Sequence, residues 1–203
     1  MGDIKDNPLR QNIEEAAVLV GLDMKIDAIV NMWGESVAIY AGVPKLAFAE
    51  ALHEAQSHYL TPQATGCDMV ITNAFAKVNE AEGGVITGFS SIRRKGGDLV
   101  LISNAPEGHV THFLLGNWGK ISGNEMRLLI NLPEQVNHLI VFNEYPDLTI
   151  TGCFAPEDKV LVIDNWDEVI RTLKQWHGDC SKVAIYPNAE IQYCSSELSN
   201  GMN

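Results

Sequence analysis

Asp68 to Gly84 reads DMVITNAFAKVNEAEGG and Gly96 to His112 reads GGDLVLISNAPEGHVTH, and these two stretches decide the fold. Each holds a short apolar run, 69–72 and 99–103, followed at once by Asn-Ala and a polar, glycine-containing segment. Short apolar runs bounded by turn residues and joined by helix-length connections read as parallel strands buried on both faces. In such sheets ligands bind just beyond the carboxyl ends of the strands. Asn73, Lys77, Asn79, Glu80, Asn104, Glu107 and His109 all fall beyond those ends and form the candidate substrate-binding set.

On the amino-terminal side, Asn7-Pro8 pairs a side-chain cap with proline at the first helical position. Leu9, Ile13, Ala16, Ala17 and Val20 then recur at helical spacing, and Gly21 supplies the stop. Runs 26–32 and 36–41 flank Trp33-Gly34-Glu35 and predict a β-hairpin, which Gly42-Val43-Pro44 ends. A second amphipathic helix runs from Pro44 to Tyr59, with Phe48, Ala51, Leu52, Ala55 and Tyr59 inward, His53 and His58 outward, and Pro62 closing it.

On the carboxyl-terminal side, the segment up to Lys95 is helical in part, and 106–115 reads as a helix followed by a turn-rich loop to Asn124. Runs 139–142, 160–163 and 183–186 are further strands, the last stopped by Pro187. Residues 166–176 form a helix capped by Asn165, with Val169, Ile170 and Leu173 inward. Strands alternating with helices predict an α/β fold: a mostly parallel sheet flanked by helices in a Rossmann-like three-layer arrangement, with a β-hairpin near the N-terminus. No repeat or linker divides the chain, so the reading is one α/β domain over 1–203, with a disordered tail at 198–203.

Charged residues make up 20% and hydrophobic residues 46% of the 203 residues, ordinary for a soluble globular protein. The net charge of −12 argues against nucleic acid and anionic membranes as partners, since phosphate binding needs concentrated Lys and Arg. The one basic cluster, Arg93-Arg94-Lys95, reads as a solvated helix end. Cys67, Cys153, Cys180 and Cys194 are widely spaced without a CxxC, the pattern of reduced thiols in a cytoplasmic protein. No apolar run reaches the roughly 18–20 residues that span a bilayer.

The common chemical signatures are missing: no GxGxxG after a strand, no GxxxxGK[ST], no GxSxG and no HExxH. His109 and His112, three apart on an expected helix, are too thin a set for a metal site. Lys77 and Glu80 fit either a surface ion pair or a ligand-binding pair beside Gly83-Gly84. Asn73 and Asn104 fit either loop ties or ligand contacts. Glu107 fits either a helix N-terminus or an acceptor for a ligand hydroxyl.

The order of motifs carries a resemblance. Asn7-Pro8-Leu9-Arg10 opens a helix containing Glu14-Glu15-Ala16-Ala17, and Gly21-Leu22-Asp23 follows it. After a hairpin ending in Ala41-Gly42 come Asp68-Met69-Val70-Ile71-Thr72-Asn73, Gly96-Gly97-Asp98, Glu107-Gly108 and Lys182-Val183-Ala184-Ile185-Tyr186-Pro187. Over nearly its whole length the chain resembles the C-terminal domain of the nickel-pincer-dependent lactate racemase family, as a divergent member. The resemblance implies a racemase or epimerase acting on a 2-hydroxy acid or sugar acid. It places the active site between two α/β domains, with the nickel-pincer nucleotide and the catalytic bases on the N-terminal one. This chain would then carry no catalytic residue, no metal and no cofactor of its own. Its partners would be a small hydroxy-acid substrate and an N-terminal racemase domain, in cis or as a separate chain. The alternative is a stand-alone small-molecule or partner-binding α/β domain without catalysis. Where that family places a tyrosine-glutamine pair and a lysine on substrate, this sequence has Gly84, Val85 and Gly88. Asn73, Ala74, Lys77, Asn79 and Glu80 resemble a divergent branch in which an Asn-Ala-x-x-Lys-x-Asn-Glu element, 73–80, occupies the same loop.

Overall fold

Asn7 caps the first helix as its sequence requires: its side-chain oxygen accepts from Leu9 N (3.0 Å) and Arg10 N (3.3 Å) ahead of α1 (Pro8–Leu19). Gly21, at φ +66°, ends it in a Schellman pair, Leu22 N to Ala17 O (3.0 Å) and Gly21 N to Val18 O (3.1 Å). These details come from a computed structural model, which describes residues 4, 6–106, 129–145, 150 and 152–195. The chain groups into two compact units, Met1–Thr61 with Tyr193–Ser195, and Pro62–Gln192 with Ser196–Asn203.

In the first unit, β1 (Lys25–Val30) and β2 (Ser36–Gly42) form the expected antiparallel hairpin. α2 (Pro44–His58) covers one face of it, burying Ala47 and Ala51 together with Ile29. His53 and His58 are exposed, as their places off the apolar stripe predict. Tyr59 fastens the end of α2 to the hairpin, its hydroxyl accepting from Val30 N (2.9 Å) and donating to Val30 O (2.8 Å). β3 (Leu60–Pro62) pairs with β11 (Tyr193–Ser195).

α1 is the helix that the spacing predicts, and no residue of it is buried. α2 already occupies the helix-facing side of the hairpin. α1 touches α2 chiefly through Arg10, whose guanidinium lies 3.5 Å from the centre of the Phe48 ring, and through a long Lys45–Glu14 pair (3.9 Å).

The second unit is built on a five-stranded, wholly parallel sheet in the order β10-β4-β5-β7-β9. Its strands are β4 (Met69–Asn73), β5 (Gly97–Ile102), β7 (Val136–Phe142), β9 (Val160–Ile163) and β10 (Val183–Tyr186). β4 and β5 are adjacent, with Met69 opposite Asp98 and Asn73 opposite Ile102. A short parallel pair, β6 (Ile130–Asn131) with β8 (Phe154–Ala155), lies apart from the main sheet. α3 (Glu82–Phe89) and α4 (Trp166–His177) lie on opposite faces, giving the three-layer α/β architecture.

Alternation along the strands sorts the core. Val100, Ile140, Phe142 and Ile163 meet Val169 and Leu173 of α4. Each such fully buried aliphatic or aromatic side chain stabilises the fold by about 1.5–3 kcal/mol. On the other face Val70, Thr72, Leu99 and Leu101 lie under α3, which approaches closely because two of its three glycines, Gly84 and Gly88, face the sheet. A Cβ on Gly88 would stand 2.6 Å from Leu99 Cδ1, and one on Gly84 would stand 3.2 Å from Leu101 Cδ1.

Two struts hold the amino ends of the strands. Arg93 lies past the end of α3 rather than on it. It pairs with Asp68 and donates from Nε to Gly96 O (2.8 Å), so the first member of the basic cluster is a clamp and not merely a solvated cation. Asp98, 2% exposed, meets His138 Nδ1 (2.8 Å) and His177 Nε2 (2.5 Å), tying β5 to β7 and to the end of α4.

Among the described residues no helix is long and apolar enough to cross a membrane. Cys67, Cys153, Cys180 and Cys194 are thiols and form no disulfide, with Cys67 and Cys153 buried. The expected helix at 106–115, the loop to Asn124 and the tail at 198–203 fall outside the described residues except for Pro106.

Candidate functional site

All five parallel strands run out into asparagine: Asn73 ends β4, and Asn104, Asn143, Asn165 and Asn188 follow within two residues of β5, β7, β9 and β10. Backbone bonds carry the ladder past the strands. Ala189 N donates to Asn73 O (3.0 Å), Ala74 N to Ile102 O (2.9 Å), Ser103 N to Phe142 O (2.9 Å) and Asn143 N to Ile163 O (3.1 Å). The carboxyl rim is thus as firmly hydrogen-bonded as the sheet beneath it, a rigid base for positioned side chains.

Side-chain amides then tie the loops. Asn104 Oδ1 accepts from Glu144 N (2.9 Å), joining the loops after β5 and β7. Asn143 Oδ1 accepts from Tyr145 N (2.9 Å), and Asn165 Oδ1 caps α4 through Glu168 N (3.2 Å). Of the two readings open to Asn104, the loop tie is realised by its carbonyl oxygen.

Residues Phe75–Glu80 form a 3₁₀ helix just past β4, broken at Lys77 (φ −141°, ψ 55°). Lys77 Nζ sits 2.8 Å from Glu80 Oε2, with side chains 46% and 34% exposed. A pair this open contributes about 0–1 kcal/mol, so a ligand carboxylate can displace Glu80 at little cost. Asn79 is buried and Asn73 half-buried. Asn73, Lys77, Asn79, Glu80 and Asn104 therefore all lie at or just beyond the carboxyl ends of the adjacent strands β4 and β5. Glu107 and His109 lie outside the described residues, as does His112.

The sequence reading passed over three rim residues. Asn143 is fully buried with its Nδ2 unpartnered, and Asn188, 5% exposed, leaves Oδ1 unpartnered. The rule that picks out Asn73 and Asn104, an asparagine within two residues of an apolar strand, also picks out these two. Glu190 has no such signal. Neither of its carboxylate oxygens makes a hydrogen bond of good geometry. Burial pushes its carboxyl up to about 8. The backbone N–H groups of Glu190 and Gly84 and the charge of Lys77 offset this only in part, and Glu82 adds to the rise. The missing side chain of Gly84 leaves room for the carboxyl, since a Cβ there would lie 2.7 Å from Glu190 Oε1.

Gly84, Val85 and Gly88 are core positions here. Val85 is fully buried, and the two glycines face the sheet. Among the described residues no group of three or more His, Cys, Asp or Glu side chains is arranged to hold a metal ion.

No protein-family model matches the chain, and no curated protein matches it. Among solved structures, the lactate racemase apoprotein from Thermoanaerobacterium thermosaccharolyticum is similar, with a TM-score of 0.64 and 13% sequence identity. The match covers 94% of this chain and 50% of the racemase chain. The chain therefore spans half the length of that racemase, and at this identity the likeness establishes a shared fold.

Proposed function

We propose that this chain is the substrate-covering part of a nickel-pincer-type racemase or epimerase for a 2-hydroxy acid or sugar acid, inactive without an N-terminal cofactor-bearing half. The observation that carries the reading is the fold match over 94% of this chain and only 50% of a lactate racemase. In this reading the rim of β4 and β5 faces the substrate. Lys77, released from Glu80, binds the substrate carboxylate, and the amides of Asn73 and Asn104 orient its hydroxyl. Glu107 and His109 complete the candidate set. The nickel-pincer nucleotide would supply hydride chemistry from the other half; the residues of this chain bind and orient the substrate and exclude water.

Gly84, Val85 and Gly88 favour a second reading, a binding domain without catalysis, because the positions that hold substrate in lactate racemases carry no polar side chain here. Chiral chromatography separates the two. The chain alone should interconvert no 2-hydroxy acid enantiomers, and co-expression with a cofactor-loaded N-terminal racemase half should produce interconversion. Isomerisation by the chain alone contradicts the proposal. Binding of a hydroxy acid with no turnover in the combined protein supports the second reading.

A further inference from the structure

The turn after β10 is pinned at one residue. Ala189 is buried; its N–H donates to Asn73 O (3.0 Å) and its carbonyl accepts from Thr87 Oγ1 (2.8 Å), so β4 and α3 both hold it. Asn188 O accepts from Ile191 N (3.1 Å) and Gln192 N (3.2 Å), which closes the turn on itself. The backbone at Glu190 is thus fixed from both sides. Its side chain is not.

That side chain is held chiefly by shape. It runs beneath the start of α3, with Cγ 3.7 Å from where a Cβ on Gly83 would stand and Oε1 2.7 Å from where one on Gly84 would stand. A side chain at position 84 would push the carboxyl out. Both carboxyl oxygens are enclosed without a hydrogen-bond partner of good geometry, although Glu190 as a residue is only half-buried. Rotation about its side-chain bonds therefore carries the carboxyl from enclosure to water while the backbone stays in place.

The neighbouring elements do little to hold a charge there. Lys77 of the 3₁₀ segment favours the ionised form but is paired with Glu80, and Glu82 of α3 opposes it. β5 faces the same space with Leu101, which does not titrate. An enclosed carboxyl without a partner is stable only with its proton, because an uncompensated buried charge is costly. Burial accordingly raises this one to about 8. Once the proton is lost, turning outward restores hydration that staying in place cannot.

We propose that Glu190 is a proton-operated latch on the carboxyl rim of the sheet. Protonated, its side chain fills the space that Gly84 leaves beside Leu101 and Ala189; ionised, it turns into water and leaves that space open. The rim beside Asn73 and Lys77 then has two shapes. The inference concerns only the second unit and does not depend on the racemase reading.

Nuclear magnetic resonance of the full chain, followed through the range around pH 8 with a soluble gadolinium chelate as the probe of exposure, tests it. The Hα protons of Gly83 and Gly84 do not exchange with water and report on the space directly. In the wild type their shifts should titrate with a midpoint near 8, and their relaxation by the chelate should rise with the same midpoint. Gly88, packed against Leu99, should stay protected throughout. Glu190→Gln cannot ionise and should show neither change; if it fails to fold by circular dichroism, the wild-type comparison of shift with relaxation decides alone. Titration without a rise in relaxation means that the carboxylate forms in place, and it overturns the proposal. So does a rise that Glu190→Gln shares, or a wild type that does not titrate.

Discussion

Replacing Glu190 with glutamine should make the protein more stable, and by an amount that depends on pH. The carboxyl is raised from the ordinary 4.5 to about 8, first because it is buried. In the folded state it keeps its proton to about 8, while the unfolded chain releases it near 4.5. Between those values the folded state binds more protons, so stability falls as pH rises through the window. Below 4.5 both states are protonated and the carboxyl has no cost. Above 8 the cost is complete, and at about 1.4 kcal/mol per pH unit it is on the order of 4–5 kcal/mol. A side-chain amide cannot ionise, so Glu190→Gln avoids that cost while keeping the shape of the side chain. Urea unfolding of both proteins below pH 4.5, at neutrality and above pH 8 reads the difference directly. The gap should be small in acid, about 3 kcal/mol near neutrality and widest in alkali, always in favour of the variant. A gap that does not change with pH, or a wild type more stable than the variant above pH 8, refutes the argument, because either means the carboxylate is adequately solvated or paired.

Gly88→Ala should destabilise by about 1–3 kcal/mol in the same assay, since the new Cβ meets Leu99 and Thr72 at 2.6 and 3.1 Å. Asp98→Ala removes the acceptor of both His138 and His177 and should cost at least about 2 kcal/mol, with amide exchange quickening at the end of α4. In the combined two-part protein Lys77→Ala should lower kcat/KM tenfold or more, about 1.4 kcal/mol of transition-state binding, and shift stability by about 0.5 kcal/mol or less. Unchanged kinetics for that variant would leave Lys77 as a solvated partner of Glu80 and nothing more.

The parallel sheet was legible because its strands announce themselves locally: VITN, LVLIS, LIVF and VAIY are apolar and bounded by turn residues. The caps at Asn7 and Asn165 and the stop at Gly21 were legible for the same reason, each acting on its own neighbours. Features assembled from distant parts of the chain were not. Asp98 meets partners 40 and 79 residues away, and no periodicity marks such a clamp. Glu190 looks like one more surface acid until α3 closes over it, and the space for its carboxyl depends on Gly84. α1 shows the opposite limit. Its spacing correctly implies a helix, but periodicity does not say whether the apolar side is buried, and in α1 it is exposed.

The central claim is that this chain covers the substrate of a hydride-transferring racemase or epimerase whose other half carries the cofactor. Its most direct test is to offer a 2-hydroxy acid deuterated at C2 and to weigh the opposite enantiomer by mass spectrometry. The chain alone should form none of it, and the chain combined with the cofactor-loaded half should form it with the deuterium retained. An opposite enantiomer made by the chain alone, or one whose deuterium has exchanged with water, would contradict the account.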